Sequence, residues 1–412
     1  PAYHLLMVPA YWIGSLFGDS FWGAFYLIRL LTGCIFGVGL FVLVKAFQEA
    51  ELSALVSLGL GLMLACIPNH TFLASAVNHD ALVFLCGSLV LLFLIRYTKG
   101  KATSDLMILG FVLGLGGMVK YTFLVIFPPV LGWLGFVIWK SNKRSAKSIG
   151  LFLGLVFAPI TIWMLRNGIL LGEPLPVDTS GFHSDQPLEM GVLEFGQSFP
   201  ILSILTRTYW GLLGWLGDGK IQVRWLQIYS LYQQVYTWPL ICLLVLGLFY
   251  SVKEKLRDDN RMRYCVVGSI LAVLSFVCSG WWKLEQWFYL PLFFFSVALV
   301  GWRIGEGILV ARTRKVDPVL MADMGAVLVC LFFLLVHCYK IYSYSLPSGV
   351  LQGTFGRYYL LVVGFFVVGF LGKGVRSFPY GAQLVFGFSI LYSSVELYVW
   401  LHEAIPFFYV YD

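Results

Sequence analysis

Apolar runs of about twenty residues recur from one end of this chain to the other, as in "ALVFLCGSLVLLFLI" from Ala81 and "AVLVCLFFLLV" from Ala326. A hydrocarbon core about 30 Å thick is crossed by roughly 20 helical residues. Only a helix or a closed barrel satisfies its own backbone polar groups there. The runs lack the two-residue alternation of barrel strands. Hydrophobic residues make up 59% of the chain and charged ones 12%, against about 25% charged in soluble domains. The reading is an all-α, polytopic transmembrane helical bundle.

About twelve spans are expected, at 22–46, 52–68, 79–97, 104–119, 122–140, 148–170, 233–252, 263–280, 286–303, 319–340, 357–372 and 380–400. The piece 199–216, broken by Gly211 and Gly214, reads as re-entrant or interfacial, and "PAYHLLMVPAYWIG" at the start reads as loop or interfacial helix. Residues 1–412 form one integral membrane domain, with 171–232 as its large outer loop and 233–412 as its C-terminal helices. The chain opens at Pro1 without Met, and a further span and loop are expected before it. The eight cysteines form no C-x-x-C pair and fall mostly inside apolar runs, so they read as small buried hydrophobes.

Most of the 28 Lys and Arg residues gather in short loops at one set of span ends, such as Arg96, Lys99, Lys101, Lys140, Lys143 and Arg144. By the charge rule those loops are cytoplasmic, and the net charge of +7 reflects orientation rather than nucleic-acid binding. The opposite side holds the longest loop, the histidines and the remaining basic residues: Arg29, Lys120, Arg166, Arg207, Lys220, Arg224, Lys283, Lys340 and Arg357.

Several residues on that outer side have two readings each. In "SAVNHDAL", Asn78 and Asp80 fit a helix start, where an Asx side chain and a first-turn carboxylate are favoured; they equally fit a carboxylate held at the surface for chemistry. Lys120 in "VLGLGGMVKYTFL" sits at a span end, where snorkelling and anion binding weigh alike, and Gly114, Gly116 and Gly117 before it let backbones approach. Arg166 and Asn167 in "WMLRNGILLGEP" read as an anchor beside Trp163 or as a phosphate or sugar contact. Arg357 in "LQGTFGRYYLL", followed by Tyr358, faces outward against the charge rule and leans to function. In "TRTYWGLLGWLGDG", Tyr209, Trp210 and Trp215 fit headgroup depth or stacking on sugar rings. Metal-ligand spacing, a nucleophile elbow and a P-loop are missing from the sequence; His70 and His79 could share a metal with Asp80 only weakly.

The order "LIRLLTG", "NHDAL", "LGLGGMVKYT", "WMLRNGILLGEP", "YWGLLGW" and "LQGTFGRYYL" resembles the GT-C membrane glycosyltransferases that use polyprenyl-phosphate sugars. It is similar in particular to a bacterial branch of predicted multi-pass membrane proteins of unknown function. The resemblance covers nearly the whole chain. It implies a bundle of GT-C type, with 1–170 as a GT-C-like module lacking its first span. It also implies an active face outside the plasma membrane, a lipid-phosphate sugar donor and an envelope glycan or lipid acceptor. Asp80 becomes the second-loop acid with Asn78 beside it, Lys120, Arg166 and Arg357 hold the donor phosphate, and Tyr209, Trp210, Trp215 and Tyr358 contact substrate. The first-loop base would precede "PAYHLL"; Asp19 is too close to a span start to replace it. Some relatives of this type use a divalent metal. The alternatives are a transporter or flippase of lipid-linked or small-molecule substrates, and a non-catalytic envelope assembly protein.

Overall fold

The structure is a computed structural model that describes residues 2–17, 20–141, 145–174, 188–199, 317–349 and 356–399, with single positions between 209 and 243 and Leu401. Among these residues every regular element is helical. The expected spans at 233–252, 263–280 and 286–303 fall outside them or touch only single positions, as do Asp19, Trp210 and Trp215.

Helix α1 (Ala2–Gly14) leads into α2 (Ser20–Glu49), α3 (Ala54–Ala65), α4 (Pro68–Ser75), α5 (Asp80–Gly100) and α6 (Thr103–Val119). A 3-10 segment (Tyr121–Ile126) runs into α7 (Phe127–Ser141), followed by α8 (Ala146–Leu171) and the short α9 (Val192–Ser198). After the gap come α10 (Pro318–Ser348), a 3-10 segment (Gly356–Leu361), α11 (Val363–Phe366), a π-helical turn (Val367–Gly372), α12 (Lys373–Ser377) and α13 (Gly381–Val399). Five described helices are long and apolar enough to cross a membrane, or six if the α3–α4 pair counts as one.

The apolar runs become helices where local chemistry closes their ends. Ser53, Ser145 and Asp317 accept the orphan backbone N–H groups of α3, α8 and α10, with Pro318 at the first helical position. Gly172 and Gly349 stop α8 and α10 in the left-handed region.

Two expected spans are not continuous. The run 52–68 ends at Ala65, and Pro68, lacking an N–H, starts α4 at 71° to α3. The run 357–372 breaks into 3-10, α and π turns.

Helix α5 is the axis of the described bundle. It packs on α2, α6, α10 and the Gly356–Leu361 segment, and 72% of its apolar window is buried, against 11% for α8. Helix α8 instead presents Ile162, Leu165, Ile169 and Leu170 outward, a face that suits lipid and not water. Buried Tyr3, Met7 and Ala10 seat α1 on the bundle while Leu5, Trp12 and Ile13 face out, as in an interfacial helix.

Ion pairs mark the two ends of α5, which at 21 residues is about 30 Å long. At its C-terminal end, Lys99 reaches the Glu49 carbonyl and the Glu51 carboxylate, and Arg96 pairs with buried Asp105 at 3.3 Å. On α12, Arg376 pairs with buried Asp323 at 2.6 Å and donates to the carbonyl of Ala50, which follows α2.

Close backbone approach sets the packing around α5 and α6. At Gly114 an added Cβ would lie 2.5 Å from the Leu155 carbonyl oxygen of α8, whereas Gly116 and Gly117 meet the side chains of Phe123 and Ile160. At Gly87 on α5 the added Cβ would lie 2.5 Å from the Leu361 carbonyl oxygen, so the absence of a side chain is what brings the Gly356–Leu361 segment against α5. Gly87→Val is expected to destabilise the protein by about 1–3 kcal/mol, as overpacking does. A melting curve in detergent reads this as a clear fall in transition temperature; an unchanged curve contradicts the close packing.

Candidate functional site

The site starts with the turn before α5. The Asn78 side-chain oxygen accepts the Asp80 backbone N–H at 3.0 Å, and His79 occupies the cap position without a side-chain bond. Asn78 therefore fixes the turn one residue ahead of the cap, a small correction to the simple capping reading. The helix begins at Asp80, whose side chain turns inward and is 3% exposed.

Lys120 arrives from α6. That helix ends at Val119, and Lys120 adopts an extended backbone before the next 3-10 segment begins. Its Nζ donates to Asp80 Oδ1 at 2.6 Å across 40 residues of sequence. Arg357, in the segment that Gly87 admits, brings Nε to 4.0 Å from Asp80 Oδ2. His79 Nε2 lies 3.7 Å from Oδ1. Among the described residues Oδ2 accepts no hydrogen bond, although it is fully enclosed.

Tyr358 is the platform of the cluster. Lys120 Nζ is 5.0 Å from its ring centroid, Lys340 Nζ 4.8 Å and the Arg357 guanidinium carbon 5.9 Å, all within cation–π range. Lys340 comes from α10 and also lies 5.4 Å from the Tyr344 ring. It is near enough to Lys120 and Arg357 to feel their charge.

Burial pushes the Lys120 ammonium below the ordinary lysine range; the Asp80 carboxylate and its hydrogen bond push back, and Arg357 adds to the lowering. His79, just ahead of the helix, is lowered by burial first. Asp80 opposes this, while Lys120, Arg357 and His4 reinforce it. Helix α1 covers this edge: Tyr3 packs edge-on to His79 at 6.5 Å and hydrogen-bonds Thr32 at 2.9 Å.

The structure thus brings together Asn78, Asp80, Lys120, Arg357 and Tyr358, and adds Lys340. Only two features of the sequence pointed to Lys340: it is an outward lysine against the charge rule, and it lies in a tyrosine-rich stretch, "YKIYSYS". Arg166 is held elsewhere, by the Asn167 side chain at 3.1 Å and the Trp163 ring at 4.8 Å. Tyr209 is not at an open surface: its ring abuts buried His70 at 5.5 Å and 90°. His70 sits at the α3–α4 bend, where Nδ1 bonds the Leu64 carbonyl at 2.7 Å, so it does not join Asp80. The bend also carries Thr71, which donates to buried Glu396 at 2.6 Å.

A divalent metal does not fit the residues around Asp80. One carboxylate lies beside two cations there, with a third on the Tyr358 ring, and the described residues contain no group of three or more His, Cys, Asp or Glu side chains placed to hold a metal ion.

A family model described as "Predicted membrane protein (DUF2142)" matches residues 1–285, more than half of the 412. The chain belongs to this family. No curated protein and no solved structure matches it. The DUF2142 match takes in Asn78, Asp80 and Lys120 and ends before Lys340, Arg357 and Tyr358, so the anchor of the cluster lies inside the matched residues and its other cations beyond them.

Removing Lys120 leaves a buried carboxylate without its nearest cation. Such a loss costs about 3–5 kcal/mol when the pair is fully buried. With Arg357 still near Oδ2, Lys120→Ala is expected to cost about 2 kcal/mol, and Asp80→Asn in the same chain to recover part of it. Unfolding curves of both single variants and the double variant measure this; additive losses contradict the pairing.

Proposed function

We propose that this membrane protein is a glycosyltransferase of GT-C type in the plasma membrane. In this reading it transfers a sugar from a polyprenyl-phosphate donor to an envelope acceptor on the extracytoplasmic face. The observation that carries the reading is the convergence of Lys120, Arg357 and Lys340 on Tyr358 beside one buried carboxylate, at the α5 end opposite the Arg96 and Lys99 pairs. A cationic centre at a bilayer surface fits a ligand with a phosphate headgroup and an apolar tail. The outward apolar face of α1 offers that tail a place at the interface.

The chemistry is an in-line displacement at the sugar carbon with a lipid phosphate as leaving group. Fixed cations stabilise the charge that develops on the departing oxygen, and they do so best where their geometry is set beforehand. Asp80 supports this by positioning: its bond to Lys120 fixes the ammonium, and its charge offsets part of the repulsion among the cations. Because Lys120 engages Asp80, the acceptor's proton falls to a different base, for which the resemblance implies a first-loop acid.

A second reading, transport of a lipid-linked anion, is favoured by one feature. The segment from Gly356 to Gly372 that bears Arg357 is a discontinuous helix, as in transporters that bind substrate at broken helices.

The full chain in detergent is expected to bind labelled polyprenyl-phosphate sugar. Lys120→Ala and Arg357→Ala are each expected to weaken binding roughly ten- to a hundredfold, the value of a hydrogen bond to a charged group. Sugar transfer to an envelope acceptor completes the test. No binding, or binding indifferent to both substitutions, contradicts the proposal. Movement of the intact lipid across a vesicle wall without transfer supports the second reading.

A further inference from the structure

The turn that delivers Asp80 is gripped from α2 at both of its ends. Residues 76–79 join α4 to α5 outside either helix. On the α4 side, Arg29 Nε donates to the Ser75 carbonyl at 2.6 Å, and the guanidinium carbon lies 5.4 Å from the Phe25 ring centroid. On the α5 side the grip passes through Tyr3 of α1. Its hydroxyl lies 2.9 Å from Thr32 Oγ1, and Thr32 stands one turn of α2 beyond Arg29. Thr32 gives its single proton to the Ile28 carbonyl of its own helix at 2.8 Å, so the Tyr3 hydroxyl is the donor in the bond between them. The Tyr3 oxygen is left to accept, and the Asn78 backbone N–H faces it. The Asn78 side chain in turn accepts the Asp80 N–H. A directed chain of donors therefore runs from Asp80 through Asn78 and Tyr3 to Thr32 and Ile28. Tyr3 and Thr32 are both buried, so water is kept from the bond between them.

We propose that Tyr3 is a positioning residue for the cationic site: through Asn78 it sets where Asp80 holds Lys120, and so makes phosphate binding depend on the seating of α1. The inference rests on the glycosyltransferase reading, in which that site takes the donor phosphate, and adds a control to it. Asp80 and Lys120 meet at 2.6 Å across two helix ends, so a small shift of the 76–79 turn moves the ammonium with it. Tyr3 acts on the pair through Asn78 and through its edge-on contact with His79. Helix α1 is a suitable mount for such a residue. Met7 and Ala10 seat it on the bundle beside Tyr3, while Leu5, Trp12 and Ile13 face outward and suit a bilayer surface. It packs on α2, which carries Thr32, and on α6, which ends at Lys120. The bilayer surface thus bears on the site through one buried hydroxyl.

The test is calorimetric titration of dodecyl phosphate into the full chain in neutral detergent, arranged as a double-variant cycle. Tyr3→Phe keeps the ring and removes the hydroxyl, and is expected to weaken binding roughly three- to tenfold, the value of a neutral hydrogen bond. Thr32→Val cuts the same bond from the other side and is expected to match it, with the two together no worse than either alone. Thr32→Ser, which keeps the hydroxyl, is expected to bind as the wild type does. Met7→Asp, or Met7→Asn if the first does not fold, loosens α1 one turn from Tyr3 and is expected to weaken binding as Tyr3→Phe does. In a Lys120→Ala chain, Tyr3→Phe is expected to change binding by less than about twofold, because its effect passes through the Asp80–Lys120 pair; a merely structural loss adds to that of Lys120→Ala. Wild-type binding by Tyr3→Phe or Thr32→Val, or additive losses with Lys120→Ala, overturns the proposal and leaves the donor reading intact. Unchanged binding in the Met7 variant overturns the link to α1. A wild-type chain that binds neither dodecyl phosphate nor labelled polyprenyl-phosphate sugar overturns the glycosyltransferase reading itself.

Discussion

The ion pair between Lys120 and Asp80 is the contact on which the site's geometry depends. It ties the start of α5 to the end of α6, and it lies where burial would otherwise disfavour both charges. The pair is compatible with a bilayer protein because it sits at helix ends, where Asp80 meets the positive pole of its own helix and Lys120 follows the last turn of α6. Arg357 approaches the second oxygen of that carboxylate, and the Tyr358 ring gathers Lys120, Lys340 and Arg357.

The packing explains why such a cluster holds its shape. Small residues do at α5 and α6 what loops do in soluble enzymes, by setting how near one backbone comes to another. Gly87 admits the segment that carries Arg357 and Tyr358, and Gly114 admits α8. At the opposite end of α5, Arg96, Lys99 and Arg376 pair with Asp105, Glu51 and Asp323, so the bundle is pinned at both ends by charge and filled between them by Leu, Val and Phe side chains. The two ends differ in chemistry. One satisfies its charges pairwise, while the other gathers three cations on a single aromatic ring.

Much of this was legible in the sequence. Long apolar runs fix helices by length alone, and Asp80, Lys120 and Arg357 stand out because a charge beside such a run needs a reason. Breaks were harder to see. Pro68 marks the α3–α4 bend only once its place at a helix start is known, and the π turn at Val367–Gly372 has no signature in an apolar run. Partners across long sequence separations were illegible for a different reason. Lys340 looks like an interfacial lysine until α10 is docked on α5, and the contacts of Arg166 with Trp163 and Asn167 appear only in the folded chain. The contact of Tyr209, an aromatic in an outer loop, with buried His70 was equally out of view in the sequence.

The most direct measurement is an experimental structure of the full chain in lipid or detergent with dodecyl phosphate bound. The account predicts phosphate density beside Tyr358, with Lys120, Lys340 and Arg357 all within hydrogen-bonding reach of its oxygens and Asp80 still holding Lys120. Phosphate density elsewhere, or Asp80 and Arg357 on opposite membrane surfaces, would contradict it.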